Sequence, residues 1–346
     1  MLKPVLNIDE VVAFLSEWAG GEVGGISQFE AGQVSSVFGF EVRGGERSSK
    51  YVVRFVSPEN GEGLKKDRFI GPRAAAVGLP VPILLKHGEV RMAVGNLSDE
   101  EKSKHSADSY PLGFAICDWM PGEHMGEVQD EERWHLIPAQ VRGIDLISTI
   151  DISDTTGWGW FDGYGNGQHD SWASYISAES FPEGGGDFYE RRRDWFDDRG
   201  GFLEYDVLRY FSDRMMSMVQ HLPEIERSVV HMEFGYDNTL VVGSEVSAAL
   251  DWDNSIIGDH LYDGAWNDTY ASELDYKQLF IDQYARTGRY VADLDNRWLV
   301  CQLHVVLQAL RWYGLSKKEE AYHWMKGRMY FLLGEGPDSG RHPDSF

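Results

Sequence analysis

The fold turns on VVHMEFGYDNTLVVGSEVSAALDWDN, residues 229–254. Val229 and Val230 close one extended segment, and Thr239-Leu240-Val241-Val242 opens another. Gly243-Ser244 is a two-residue turn, after which Glu245 to Asp251 returns as a second strand. Pairing Val242 with Glu245 sets Asn238 opposite Ala249, with Asp251 two residues beyond at the same open end. At a rise of about 3.3 Å per residue, Asn238 and Asp251 can approach a common ion. Glu233 stands five residues before Asn238, in the loop that feeds this end.

These residue types suit phosphoryl transfer. One carboxylate accepts the proton of an attacking hydroxyl, and an amide and a second carboxylate hold Mg²⁺ with hard oxygen ligands. A polar turn capped by Asn238 and Asp251 is the plain alternative, and any one residue alone would fit it. Spacing, hairpin and apolar framing together favour a catalytic loop. His231 has no second His or Cys at metal spacing, so it does not read as a zinc ligand.

The rest of the chain sets the limits. With 346 residues it is long enough for two lobes, and a 42% hydrophobic content places it among globular proteins. No run of 18 apolar residues exists to span a membrane. The N-terminal segment lacks the apolar stretch of a signal peptide, and Cys117 and Cys301 are too few for a disulfide framework. A reducing cytoplasm is the expected compartment. The net charge of −24 argues against a nucleic-acid partner; it would suit a cationic ligand, but on charge alone solubility or a salty habitat is the leading reading.

Working outward, Val11, Val12, Phe14, Leu15 and Trp18 mark a helix that starts near Asn7. Residues 37–42 and 50–56 form an antiparallel hairpin, and 64–77 a helix that Gly71-Pro72 should kink or divide. A further strand pair is expected through Val94 and around 113–119, with Asp99 to Asp108 as a polar loop. Pro121-Gly122 marks the lobe boundary. Helical spacing at Val207, Leu208, Phe211, Met215, Met218, Val219 and Leu222, and again from Leu299 to Leu310, makes the C-terminal part mostly helical. Residues 183–201, with Arg191-Arg192-Arg193, read as a loop and a solvated helical face. Gly163-Tyr164-Gly165-Asn166-Gly167 lacks the strand–helix context of a dinucleotide-binding loop.

HMEFGYDN resembles the catalytic loop of the aminoglycoside phosphotransferase family, and ALDWDNSIIGDHLYD its metal-binding segment. DISDTTGWGWFDGYGNGQHDSW (151–172), KYVVRFV, KKDRF and LPVPILLKHGE resemble stretches of the family's hygromycin B branch, in the same order. The similarity runs from about residue 28 to beyond 330. It implies an α+β, bilobal, protein-kinase-like fold. A small antiparallel β-rich nucleotide lobe (1–119) would sit over a larger, mainly helical catalytic lobe (120–346).

The resemblance also assigns roles. Glu233 matches the proton acceptor, which the family supplies as Asp; Glu adds a methylene. Asn238 and Asp251 match the Mg²⁺ ligands. Arg54, held by Asp67, takes the place of the usual lysine–glutamate pair toward the phosphates of ATP or GTP. Ser35 and Ser36, after Ala31-Gly32-Gln33-Val34, would cover phosphates, and the backbone of Asp118, Trp119 and Met120 would receive the purine. Trp158, Trp160, Asp170 and Trp172 suit a polyhydroxylated cation by stacking and charge pairing, or else form an aromatic mini-core. Asp253 is the further candidate for a cationic substrate; Asp259 is expected to fix its loop by hydrogen bonds. The expectation is an O-phosphotransferase acting on an aminoglycoside or aminocyclitol. A kinase of another hydroxylated metabolite and a nucleotide-binding pseudokinase remain as rivals.

Overall fold

A computed structural model of the protein describes residues 3–30, 34–44, 47–106, 108–180 and 204–338. The first helix, α1 (Ile8–Ala19), begins where Asn7 accepts a hydrogen bond from the Asp9 amide and ends at Gly20 in the left-handed region. Five antiparallel strands follow: β1 (Glu22–Phe29), β2 (Ser35–Gly44), β3 (Arg47–Val56), β4 (Leu84–Met92) and β5 (Tyr110–Asp118), in the order β1-β2-β3-β5-β4. Val11 and Leu15 of α1 pack with Phe38, Phe40, Val53, Phe55, Phe114 and Ile116 from the sheet, forming the core of the small lobe.

Between β3 and β4 runs α2 (Gly61–Ala76). Of the two expected outcomes at Gly71-Pro72, a kink or a break, the break does not occur: α2 is one helix with Pro72 inside it, which removes one backbone donor from its ladder. This helix serves two cores. Leu64 packs with Val56 and Ala115 beneath the sheet, whereas Phe69, Ile70 and Ala74 belong to the core of the large lobe. Residues 99–108 depart from expectation. Asp99–Lys104 is a short helix, α3, started by a capping box between Ser98 and Glu101.

Past Pro121, β6 (Glu123–His124) and α4 (Asp130–Ile147) lead to β7 (Trp158–Phe161), β8 (Gly167–His169) and α5 (Trp172–Ser180). Further helices span Tyr205–Val219, Tyr262–Tyr270, Tyr276–Thr287, Leu294–Leu315 and Glu319–Leu332. Among them lie β9 (Ser228–Val230), β10 (Thr239–Val242), β11 (Glu245–Ala249) and β12 (Ile256–Gly258). These form two small antiparallel sheets, β11-β10-β6 and β8-β7-β12-β9. No helix among the described residues is long and apolar enough to cross a membrane. Ala31, Gly32 and Gln33, together with Arg191-Arg192-Arg193, lie outside the described residues.

Candidate active site

The two small sheets deliver two loops to one place. The segment 231–238 runs from β9 into β10, and 250–255 runs from β11 into β12. The β10–β11 hairpin pairs Val242 with Glu245 as expected, but its register shifts between Leu240 and Val241. Ser247 is the extra residue, its hydroxyl donating to the Pro121 carbonyl at 2.6 Å. Thr239 therefore pairs with Ala249, and the Leu250 amide donates to the Asn238 carbonyl at 2.9 Å. The bulge corrects the expected register by one residue and brings Asp251 one position nearer Asn238.

Buried hydrogen bonds fix the first loop. Asp263 receives the amide of His231 at 2.8 Å and that of Met232 at 2.7 Å. Burial pushes its carboxyl up to about 7, although both amides pull it down. The grip holds Met232 at φ 74°, which costs a residue with a side chain about 1–3 kcal/mol. Glu233 follows immediately. Its carbonyl accepts from Gly235 N at 2.8 Å and from Asn238 Nδ2 at 2.9 Å, so Asn238 presents Oδ1 as its remaining polar atom. His231 Nε2 lies 2.9 Å from the Leu250 carbonyl, and burial takes its pKa down to about 4. A neutral His231 thus ties the first loop to the second.

Asp251 heads the second loop at φ 61°, with a half-exposed side chain. Partial desolvation first, and the Asp253 carboxylate next, raise its carboxyl pKa; Arg54 pulls the other way, while Glu233 and Asp67 add to the push. Arg54 reaches from β3 in the small lobe. It pairs with Asp67 of α2 and stands 3.7 Å from Asp251 Oδ1 and 3.4 Å from Asp253 Oδ1. Burial opposes its charge, but the fields of Asp253, Asp67 and Asp251 outweigh burial and hold its pKa above the ordinary arginine range. Asp67 is pushed up to about 6 by burial, against the pull of Arg54.

The other expected site residues divide. Ser36 is fully buried and donates to the Pro4 carbonyl, and Ser35 is buried at the start of β2. The Asp118 amide donates to the Ile83 carbonyl and the Trp119 amide to that of Lys50, both at 3.2 Å, leaving the neighbouring Met120 at the lobe connection. The Trp119 ring lies over β2, where a Cβ on Gly39 would come within 2.9 Å of it. Trp160 and Trp172 are 4% and 3% exposed. They pack in the large-lobe core, so neither face is open to a solute; Trp172 stacks on Tyr175 instead. Trp158 is half-buried and Asp170 exposed. Asp253 turns its carboxylate toward Arg54, and Asp259 is locked by Arg297 through two hydrogen bonds of 2.9 and 2.7 Å. Composition and spacing did not single out Lys66, which also reaches this loop.

The site fits Mg²⁺. No group of three His, Cys, Asp or Glu residues among the described residues could hold a metal by itself. Mg²⁺ needs no such cage, since it is held by one or two protein oxygens, substrate phosphates and water. Asn238 Oδ1 and the Asp251 carboxylate supply hard oxygens. Desolvation first, and then the carboxylates of Asp253, Glu233 and Asp67, raise the Asp251 pKa; those carboxylates are a crowding of negative charge that a divalent cation would relieve. A cavity of about 430 Å³ lined by Asp268, Gln302 and Arg328 includes none of these residues.

The chain is similar to proteins that share this architecture. It is 27% identical over 265 residues to a hygromycin-B 4-O-kinase from Escherichia coli, covering 77% of this chain and 67% of that protein. A thermostable mutant of aminoglycoside phosphotransferase APH(4)-Ia, in a ternary complex with ADP and hygromycin B, superposes with a TM-score of 0.70 at 24% identity. That match covers 94% of this chain and 99% of the other. The macrolide 2'-phosphotransferase MphH from Brachybacterium faecium gives a TM-score of 0.57 at 14% identity, over 94% and 98% of the two chains. The kinase-like α+β fold is thereby established. Residues 25–294 match the model of the phosphotransferase enzyme family, and the protein belongs to that family.

Proposed function

We propose that the protein transfers the γ-phosphoryl group of a nucleoside triphosphate to a hydroxyl of an aminoglycoside or aminocyclitol, with hygromycin B the first candidate. The observation that carries this reading is the convergence of Arg54 from the small lobe with Asp251 from the large lobe, beside a loop that presents Glu233 and Asn238. The 27% identity to a hygromycin-B 4-O-kinase supports the choice of substrate.

Glu233 would accept the proton of the attacking hydroxyl. Asn238 Oδ1 and Asp251 would hold Mg²⁺, which neutralises the charge of the β- and γ-phosphates when bound. Arg54, steadied by Asp67, would offer two donors to phosphate oxygens. Asp253 keeps Arg54 in place between nucleotides. ATP and GTP both meet this scheme, with the backbone around Met120 facing the purine. Trp158 and Asp170 would offer an aromatic face and a negative charge to a cationic substrate. The division of labour follows the two lobes, 1–119 for nucleotide and 120–346 for chemistry, in a protein of the cytoplasm.

The test is nucleotide turnover in Mg²⁺ over a panel of aminoglycosides, aminocyclitols and hydroxylated metabolites, with products identified by mass spectrometry. Stimulation by hygromycin B and a product heavier by one phosphoryl group support the reading. Stimulation by another hydroxylated compound alone would reassign the substrate. Nucleotide binding without turnover on any of them would make the protein a pseudokinase, in which Glu233 no longer serves.

A further inference from the structure

Lys66 lies in the second turn of α2 and is only 2% exposed. Its Nζ donates to the carbonyl of Asp253 at 2.9 Å and to that of Ser255 at 2.8 Å. The ring faces of Trp160 and Phe161 stand 4.8 and 4.7 Å from the ammonium. Burying an ammonium costs several kcal/mol unless it is well paired, so an apolar side chain would join α2 to the large lobe more cheaply. What the ammonium adds is a grip on two main-chain carbonyls.

Those carbonyls belong to the loop that starts at Asp251. Asp251 is held at φ 61°, a conformation that persists only where its surroundings over-determine it. On its N-terminal side, Leu250 is tied by its amide to Asn238 and by its carbonyl to His231. On its C-terminal side, Lys66 holds the carbonyls of Asp253 and Ser255. The clamp is therefore built from both lobes. The aromatic wall also gives Trp160 an assigned place, against the ammonium.

We infer that Lys66 is a positioning residue for Mg²⁺ and nucleotide: from the small lobe it fixes the 251–255 loop so that Asp251 faces the cation. This rests on the phosphotransferase reading. Lys66 acts on the site through the two main-chain carbonyls it holds. Its charge also favours the ionised form of the neighbouring Asp67.

The test compares wild type with Lys66→Met, which keeps the length of the stem, and Lys66→Gln, which keeps an N–H donor. ATP binding is measured by calorimetry across a Mg²⁺ titration, hydrogen exchange at 250–256 in the ligand-free protein, and thermal unfolding in parallel. Lys66→Met should raise the Mg²⁺ concentration for half-maximal ATP binding by about tenfold or more, as loss of outer-shell support to a metal ligand does. It should also speed exchange at 250–256, with Lys66→Gln intermediate. A folded Lys66→Met protein with a lower unfolding temperature and a wild-type Mg²⁺ midpoint would overturn the inference, leaving Lys66 a packing contact. If Lys66→Met does not fold, a wild-type midpoint in Lys66→Gln overturns it equally. Absence of Mg²⁺-dependent binding of both ATP and GTP in the wild type is a separate outcome; it sinks the phosphotransferase reading and this assignment together, whereas binding of GTP alone moves the same titration to GTP.

Discussion

Arg54 Nη1 stands 3.7 Å from Asp251 Oδ1, joining a strand of the small lobe to the 250–255 loop of the large one. Asp67 and Asp253 share the same guanidinium, so three carboxylates crowd around one arginine. On the phosphotransferase reading, a divalent cation bound here would relieve that crowding of negative charge. On the same reading Arg54 stands close to where phosphates would arrive.

Replacing Arg54 by Met should therefore weaken Mg²⁺–nucleotide binding by about 10- to 100-fold, the worth of charge-assisted hydrogen bonds of about 1.5–3 kcal/mol. Calorimetric titration measures this directly. Unchanged affinity would remove Arg54 from the phosphate site.

Gly63 offers a way to disturb the site without harming the fold. A Cβ there would fall 2.1 Å from Asp253 Oδ1, so Gly63→Ala must push the carboxylate aside. Alanine within a helix is favoured over glycine by about 1 kcal/mol, so thermal stability should hardly fall. Turnover should drop by about tenfold or more, since displacements near 1 Å are costly to catalysis. A variant with full activity would show that Asp253 is idle.

Gly122 tests how the lobe connection shapes the hairpin. At φ 123°, with a Cβ position only 2.5 Å from the Val241 carbonyl and 2.6 Å from Ser247 Oγ, it leaves no room for a side chain. Gly122→Ala should lower stability by about 1–3 kcal/mol in a urea titration, from backbone strain alone, with the clash adding to it. A neutral result would mean that the bulge at Ser247 yields easily.

His304 carries a prediction in pH. Burial takes its pKa down to about 3, and its Nδ1 lies 2.8 Å from the Tyr262 hydroxyl. The unfolded chain takes up a proton there near pH 6.5 and the folded chain does not, so its contribution is present above that pH and is lost as pH falls. Relative to His304→Asn, which keeps a polar partner for Tyr262 and does not titrate, the wild type should lose up to about 1.4 kcal/mol of stability per pH unit between pH 6 and 4. Urea midpoints for both proteins across that range check it. Parallel curves would contradict a neutral His304.

The sequence made some of this legible because the signals were local. Gly243-Ser244 forms the expected turn, Asn7 caps the helix it was expected to start, and the spacing from Glu233 to Asn238 closes a hydrogen bond within the loop. The bulge at Ser247 was not legible, because its partner Pro121 is 126 residues away. Lys66 was missed for the same reason, its carbonyl partners lying 187 and 189 residues further along. Trp160 and Trp172 carry no mark in sequence that separates a stacking platform from a core, and packing places both in the core. The capping box at Ser98 and Glu101 was readable from its spacing, but the polarity of the stretch masked it. In the sequence Asp263 reads only as negative charge near the candidate catalytic end, whereas it is the buried acceptor that shapes the loop ahead of Glu233.

The central claim is that Glu233 takes the proton of the substrate hydroxyl. The most direct measurement is hygromycin B-dependent nucleotide turnover in Mg²⁺ for wild type, Glu233→Gln and Glu233→Asp, with nucleotide affinity measured alongside. The account predicts turnover in the wild type and a fall of about 100-fold or more in Glu233→Gln, the usual worth of a general base, with nucleotide affinity nearly unchanged. Undiminished turnover in Glu233→Gln, or a silent wild type that Glu233→Asp awakens, would contradict it.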